Sequence, residues 1–173
     1  MKRIMLALIP LLAVAGVVAC IGPAYGQADR KAGPVFLDKI PPGYRDWKLI
    51  SVAHEEGNLN SLGAVLGNDI AIKAYRQGTL PFPDGAVIAA LHYGHVASEE
   101  NNKVFGRSQS FVAGAPTNIQ FMVKDSKKYA ATGGWGFGHF KDGKPGDETF
   151  MNTCFPCHDQ IKARDLVFTR YAP

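Results

Sequence analysis

The stretch AVIAALHY, residues 86–93, decides how this chain is read. It follows Leu80-Pro81-Phe82-Pro83-Asp84-Gly85, a turn, because two prolines and an Asp-Gly cannot continue a helix. A short apolar run bounded by such a turn predicts a buried strand. On its N-terminal side, Asn68-Asp69 is placed to cap a helix, IAIKAYRQ, that stops at Gly78. Ile70, Ala74 and Gln77, or Ile72 and Tyr75, share faces of that helix. Further back, WKLISVA (47–53) is short, apolar and partly β-branched, which predicts another strand. On the C-terminal side, Ser110 to Ala113 and Ile119 to Lys124 predict further strands. Asp125-Ser126 opens a short helix over SKKYAAT, and WGFGHF (135–140) alternates aromatic residues with Gly or His as a strand does. Residues 27–43 hold Gly33-Pro34 and Pro41-Pro42-Gly43 and read as an extended lead-in. This order predicts an α+β fold, mostly antiparallel β-sheet with a few short helices. There is no internal repeat and no low-complexity tract.

The first thirty residues set the compartment. They read MKRIMLALIPLLAVAGVVACIGPAYGQADR. Lys2 and Arg3 form a basic start, Ile4 to Val18 an apolar run, and Ala24-Tyr25-Gly26 before Gln27 a small-x-small cleavage pattern. Residues 1–26 are therefore expected to be a signal peptide, leaving 27–173 as one domain with no membrane span after processing. Pro10 inside the run argues against a retained anchor. Val17-Val18-Ala19-Cys20 resembles a bacterial lipobox, so a lipoprotein attached through Cys20 is the alternative. Both readings put the mature domain outside the cytoplasm, and a periplasmic location is expected. Losing Lys2 and Arg3 takes the formal charge from +4 to +2. Basic residues are scattered except for Lys124, Lys127 and Lys128, expected to be a solvated helix face, so nucleic acid is not an expected partner.

Of the three cysteines, Cys20 lies in the targeting segment, which leaves Cys154 and Cys157 in TCFPCHDQ, residues 153–160. A structural zinc site wants four ligands, and no second Cys or Cys/His pair exists. A thioredoxin-like redox pair belongs after the first strand of a βαβ unit, not near a C-terminus. A disulfide between near neighbours closes too small a loop to stabilise much, and it ignores His158. Covalent haem uses every residue. Two thiols spaced by Phe155-Pro156 add across the two vinyl groups, and His158 turns its imidazole to the iron as proximal ligand. One covalent haem c is therefore expected on Cys154, Cys157 and His158. For the other face of the iron the chain offers Met122, Met151, His54, His92, His95 and His139. Met151 lies on the tether side, Met122 reads as core, and His92 and His95 flank Tyr93-Gly94 at an expected strand end. The sixth position stays open.

PPGYRDWKLI (41–50), NDIAIKAYRQG (68–78), PFPDGAVIAAL (81–91), MVKDSKKYAATGGWGF (122–137), CFPCH (154–158) and DLVFTRYAP (165–173) together resemble the cytochrome P-460 family. The resemblance spans nearly all of the chain after the leader and includes the haem motif. It implies an antiparallel-sheet α+β domain, often a homodimer, with a five-coordinate haem and an open distal face. It also implies one of two kinds of member. The P-460 enzymes carry a lysine cross-linked to the porphyrin and oxidise hydroxylamine. The cytochromes c-prime-beta lack that link and bind diatomic gases behind apolar, often aromatic, residues.

Two departures bear on that choice. The cross-linking lysine of the family falls at Ala90 here, and no lysine occurs between Lys73 and Lys103. The family's distal carboxylate falls at Gln120, and a carboxamide is no base for taking a proton from hydroxylamine. Glu99 and Glu100 are expected in a surface loop. The resemblance therefore implies a cytochrome without the cross-link that binds a small diatomic ligand such as nitric oxide. Single-electron exchange with a periplasmic redox protein is the alternative, and residual oxidase or peroxidase activity the third. Phe111, Phe121 and Phe137, from the expected strands, are candidates for an apolar lid near Ala90 and Gln120.

Overall fold

A computed structural model describes residues 36–172. The expected signal peptide, Cys20 and most of the lead-in lie outside the described residues. The remainder is an α+β fold built on six antiparallel strands that pair in chain order, a meander. The strands are β1 (Lys48–Glu55), β2 (Ser61–Gly67), β3 (Val87–Ala97), β4 (Phe111–Lys124), β5 (Trp135–Lys141) and β6 (Lys144–Pro145). Helix α1 (Asp69–Gln77) joins β2 to β3, and α2 (Glu99–Phe105) joins β3 to β4. After β6 come two short helices, α3 (Glu148–Met151) and α4 (Cys154–His158), and a 3-10 segment, Asp159–Arg164. Among the described residues, no helix is long and apolar enough to cross a membrane.

Local signals account for α1. The Asn68 side chain accepts from the Ala71 amide at 3.0 Å and from the Val87 amide at 3.1 Å, and donates to the Gly85 carbonyl at 2.8 Å. One carboxamide thus caps the helix and pins the first residue of β3 to it. At the other end Gly78 takes the left-handed conformation, φ 62°, and closes the helix.

The sheet buries both faces, so alternation sorts its residues into two clusters. On one face Ile88, Met122, Phe137 and Trp135 pack with Ile50 and α1, and with Leu166 and Val167 of the C-terminal segment. On the other, Ala89, Leu91, Phe121 and Phe140 are covered by Leu37 and Ile40 of the N-terminal lead-in and by Tyr44 and Trp47 just after it. The lead-in and the tail are therefore opposite covers of one sheet. Trp135 and Ile50 are fully buried. Tyr129, also buried, fits only because position 136 is Gly: a Cβ there would stand 2.3 Å from the Tyr129 ring.

Several expectations are corrected. The two strands expected at 110–113 and 119–124 are one strand, β4, running through Pro116. Only Ile119–Lys124 pairs with β5, so residues 111–118 have a neighbour on one side alone, where a missing amide costs little. The register of β3 against β4 shifts around Tyr93 to absorb the irregularity. SKKYAAT forms no α-helix but a turn and a single 3-10 turn, Ala130–Thr132. The Asp125 carboxylate takes the amides of Lys127 (3.1 Å) and Lys128 (2.8 Å), a local bonding that competes with helix, and Gly133-Gly134 ends the segment. Glu99 and Glu100 open α2 beneath a Ser98 cap rather than lying in a loop. His92 and His95 lie inside β3, which runs on to Ala97. Lys124 is not on a solvated face with Lys127 and Lys128 but buried at the end of β4. Strand β2, SLGAVLG, had no counterpart in the sequence reading, because its glycines hide the alternation.

Candidate functional site

Between the sheet and the C-terminal segment lies a cavity of about 730 Å³, within the range of cofactor sites. Its sheet wall is laid out by register. One cross-strand row runs Ser51, Val65, Ala90, Gln120, His139, each the Cα partner of the next. A second row runs Ala53, Gly63, His92, Asn118. A third runs Ile88, Met122, Phe137. All three rows line the cavity, so it is apolar toward Ile88 and Phe137 and polar toward His92, Asn118 and Glu55. Gly63 clears the floor beside His92, whose ring lies 3.9 Å from where a Cβ would stand.

The facing wall holds the motif. Cys154, Cys157 and His158 all line the cavity, on α4, and both thiols are free. Positions three apart on a helix share a face, so the two sulfurs are presented together. Burial pushes the half-buried Cys154 thiol up, its own backbone hydrogen bond opposing, so this group stays protonated at neutral pH.

His158 is held from several sides. Its Nδ1 lies 2.6 Å from the Leu166 carbonyl oxygen. A carbonyl can only accept, so the proton sits on Nδ1 and the Nε2 lone pair is left free. The ring lies between Phe137 at 5.1 Å and Phe168 at 5.0 Å between centroids. Burial lowers its pKa, partly offset by the Leu166 bond, which favours the neutral imidazole a metal ion needs.

Leu166 does not hold its carbonyl there by chance. Asp165 and Leu166 are consecutive left-handed residues, φ 51° and 66°, and a non-glycine residue held there costs on the order of 1 kcal/mol or more. The Asp165 carboxylate accepts from Lys124 Nζ at 2.7 and 2.9 Å and from the Phe82 amide at 2.8 Å. Lys124 also donates to the Gly133 carbonyl at 3.0 Å and lies 4.9 Å above the Trp135 ring. Both charged side chains are nearly buried, 5% and 11% exposed. Gly133, itself left-handed, lets Leu166 approach: a Cβ there would meet the leucine at 2.9 Å.

The cytochrome P-460 family model matches residues 41–169, from the start of the sheet region past the CFPCH motif. The chain belongs to that family. Among curated proteins none matches it. As a cytochrome P-460 family member the chain is a haem c cytochrome. The cavity fits that group on its own terms: two free thiols and an imidazole with an available Nε2 face an apolar floor whose far edge is polar.

The residues singled out from sequence separate into those the cavity gathers and those it does not. Ala90 and Gln120 both line it and are direct cross-strand partners, so the two positions at which the resemblance implied a departure sit side by side. Among the described residues no lysine lines the cavity. The three lid candidates separate in the structure. Phe111 is 49% exposed at the far end of β4, stacked on His95 at 4.3 Å, and does not line the cavity. Phe121 borders it, but strand alternation sends its ring to the opposite face, against Tyr44 (5.5 Å) and Phe140 (5.9 Å). Phe137 lines it and packs on His158 itself. Met122 borders the cavity from the core. His54 and His95 pack on each other with tilted rings, 4.1 Å between centroids, outside it.

The sequence offered His92 and His139 only as candidates for the other face of the iron, and it did not single out Asn118 or Arg170. His92 lines the cavity, and burial lowers its pKa against the pull of Glu55. His139, packed on Phe150 at 4.5 Å, is lowered by burial and then by His92, with Asp147 opposing. Its Nδ1 is buried with no partner among the described residues. Arg170, exposed at the rim, is the one Lys or Arg among the described lining residues. Period-two spacing from Ala90 through His92 was the available signal for the histidine; nothing local pointed to Arg170.

Proposed function

We propose that the chain is an exported cytochrome carrying one haem through thioethers to Cys154 and Cys157, with Nε2 of His158 as proximal ligand. We further propose that it binds a small diatomic such as nitric oxide on the sheet side. The observation that supports this most is the state of His158: Nδ1 committed to the Leu166 carbonyl, Nε2 free, and two thiols on the same short helix. Bound haem supplies an iron with its own affinity for diatomics; the chain supplies tether, access and polarity. Phe137 and Phe168 hold the imidazole plane, Ile88 and Met122 give the apolar floor, and Arg170, Asn118 and His92 suit the carboxylates of the macrocycle. Ala90 and Gln120 count against the cross-linked hydroxylamine oxidase. Among the described residues no lysine lines the cavity to make the link, and the carboxamide cannot take up a proton. Periplasmic electron transfer is the second reading, supported by Met122 in the cavity wall, where a thioether on the iron would close the site.

The test is haem staining after denaturing electrophoresis, followed by mass mapping of haem peptides. Haem should travel with the chain and map to residues 154–158 alone. Removal by acid-acetone refutes covalency, and a second attachment through any lysine refutes the non-cross-linked reading. Carbon monoxide or nitric oxide should then shift the Soret band of the ferrous protein. A low-spin ferrous spectrum that ignores both gases makes electron transfer the function.

A further inference from the structure

We infer that the buried Lys124–Asp165 ion pair is a positioning device for His158, acting through the Leu166 carbonyl. The inference rests on His158 being the proximal ligand. Each link is visible. Lys124 Nζ holds both Asp165 oxygens at 2.7 and 2.9 Å, and the Phe82 amide holds the second at 2.8 Å. Asp165 so anchored begins a two-residue left-handed turn, and the next residue, Leu166, turns its carbonyl to Nδ1 of His158 at 2.6 Å.

The geometry has no cheaper explanation in packing alone. Two consecutive non-glycine residues at positive φ persist only where the surroundings over-determine them. Here the surroundings are the carboxylate's three hydrogen bonds, Gly133 cleared for the Leu166 side chain, and the burial of Leu166 and Val167 in the core. The ammonium is also spent fully: two bonds to Asp165, one to the Gly133 carbonyl, and the Trp135 ring beneath it. A surface pair serving solubility would need none of this; Lys48–Asp69, 59% and 85% exposed, shows the contrast. A buried pair is weak evidence for stability, since apolar replacements often do as well, so what it specifies locally is the better account of its presence. What it specifies is the orientation of one carbonyl. A hydrogen bond from Nδ1–H makes the imidazole a stronger donor through Nε2 and fixes its ring.

The experiment is resonance Raman spectroscopy of the ferrous holoprotein, read at the iron–histidine stretch, alongside thermal unfolding. The wild-type band must first be tied to His158 by its loss in His158→Ala. Asp165→Asn and Lys124→Met each leave a buried partner unmatched; where a single variant fails to fold, the double variant K124M/D165N, which buries no unpaired charge, decides. The double variant should retain haem by staining and show the iron–histidine band shifted to lower frequency and broadened, as the carbonyl loses its fixed orientation. Lys48→Met, which removes the exposed pair, should leave the band unmoved. If the double variant changes the unfolding temperature but not the band, the pair is only structural and the inference is overturned. If the wild type has no His158-dependent band, the ligand reading itself fails, a result distinct from the first.

Discussion

The two walls of the cavity are built on different principles. On the tail side, His158 has its Nδ1 proton committed, its ring clamped by two phenylalanines, and its supporting carbonyl tied to a buried ion pair. On the sheet side, Ala90 offers no functional group, the Gln120 side chain donates to Asn118 at 3.2 Å, and His139 has a buried nitrogen with no partner among the described residues. One wall fixes its ligating side chain from several directions, and the other fixes few of its polar side chains. That difference suits a site where one face must hold a group in fixed geometry and the other must admit something that comes and goes.

If the contrast is real, damage should scale with it. The largest effect is expected on the tail side. Asp165→Ala strands the Lys124 ammonium in the core and should cost about 3–5 kcal/mol of unfolding free energy in urea, whereas a cost under about 1 kcal/mol would show that wall to be as loose as the other. Protonation should come next. His92 and His139 have their pKa values lowered, chiefly by burial, so folding favours the neutral rings. Above the ordinary histidine value, about pH 6.5, both states are neutral and nothing is lost. Below it the unfolded chain binds protons that the folded cavity resists, and stability falls as pH drops. The urea midpoint of the holoprotein should decline from about pH 7.5 to about pH 5, and His139→Phe should flatten that decline. A midpoint that rises on acidification would overturn the assignment. The smallest effect belongs to Gln120→Ala, which gives up one half-buried hydrogen bond and should change stability by about 1 kcal/mol or less. It should leave the iron–histidine band where it was, since nothing connects it to Leu166. A shift there would erase the distinction between the walls.

How much of this was legible in the sequence follows the range of the forces. Helix α1 and its two caps were readable because Asn68, Asp69 and Gly78 act within a turn of chain. The CFPCH motif was readable because its spacing is itself the chemistry. Strands β3 and β5 were readable from composition and flanking turns, and β4 only in halves, because Pro116 looks like a break until its unpaired side is known. The lid candidates were only partly legible for a similar reason: Phe111, Phe121 and Phe137 were all in strands as expected, but strand membership does not say which face a ring takes or how far along the sheet it lies, and Phe121 and Phe137 border the cavity where Phe111 does not.

By itself, then, the sequence determined the fold class and the haem-type motif, since each is carried by residues adjacent in the chain. Tertiary structure alone decided that Ala90 and Gln120 are neighbours, because only register pairs residues 30 positions apart. It alone turned Lys124 from a presumed surface charge into the partner of Asp165, 41 residues away, and turned an unremarked Leu166 carbonyl into the group that sets the proton on His158. Backbone carbonyls carry no signature in sequence, and a buried charge looks the same as a solvated one until the chain has closed around it.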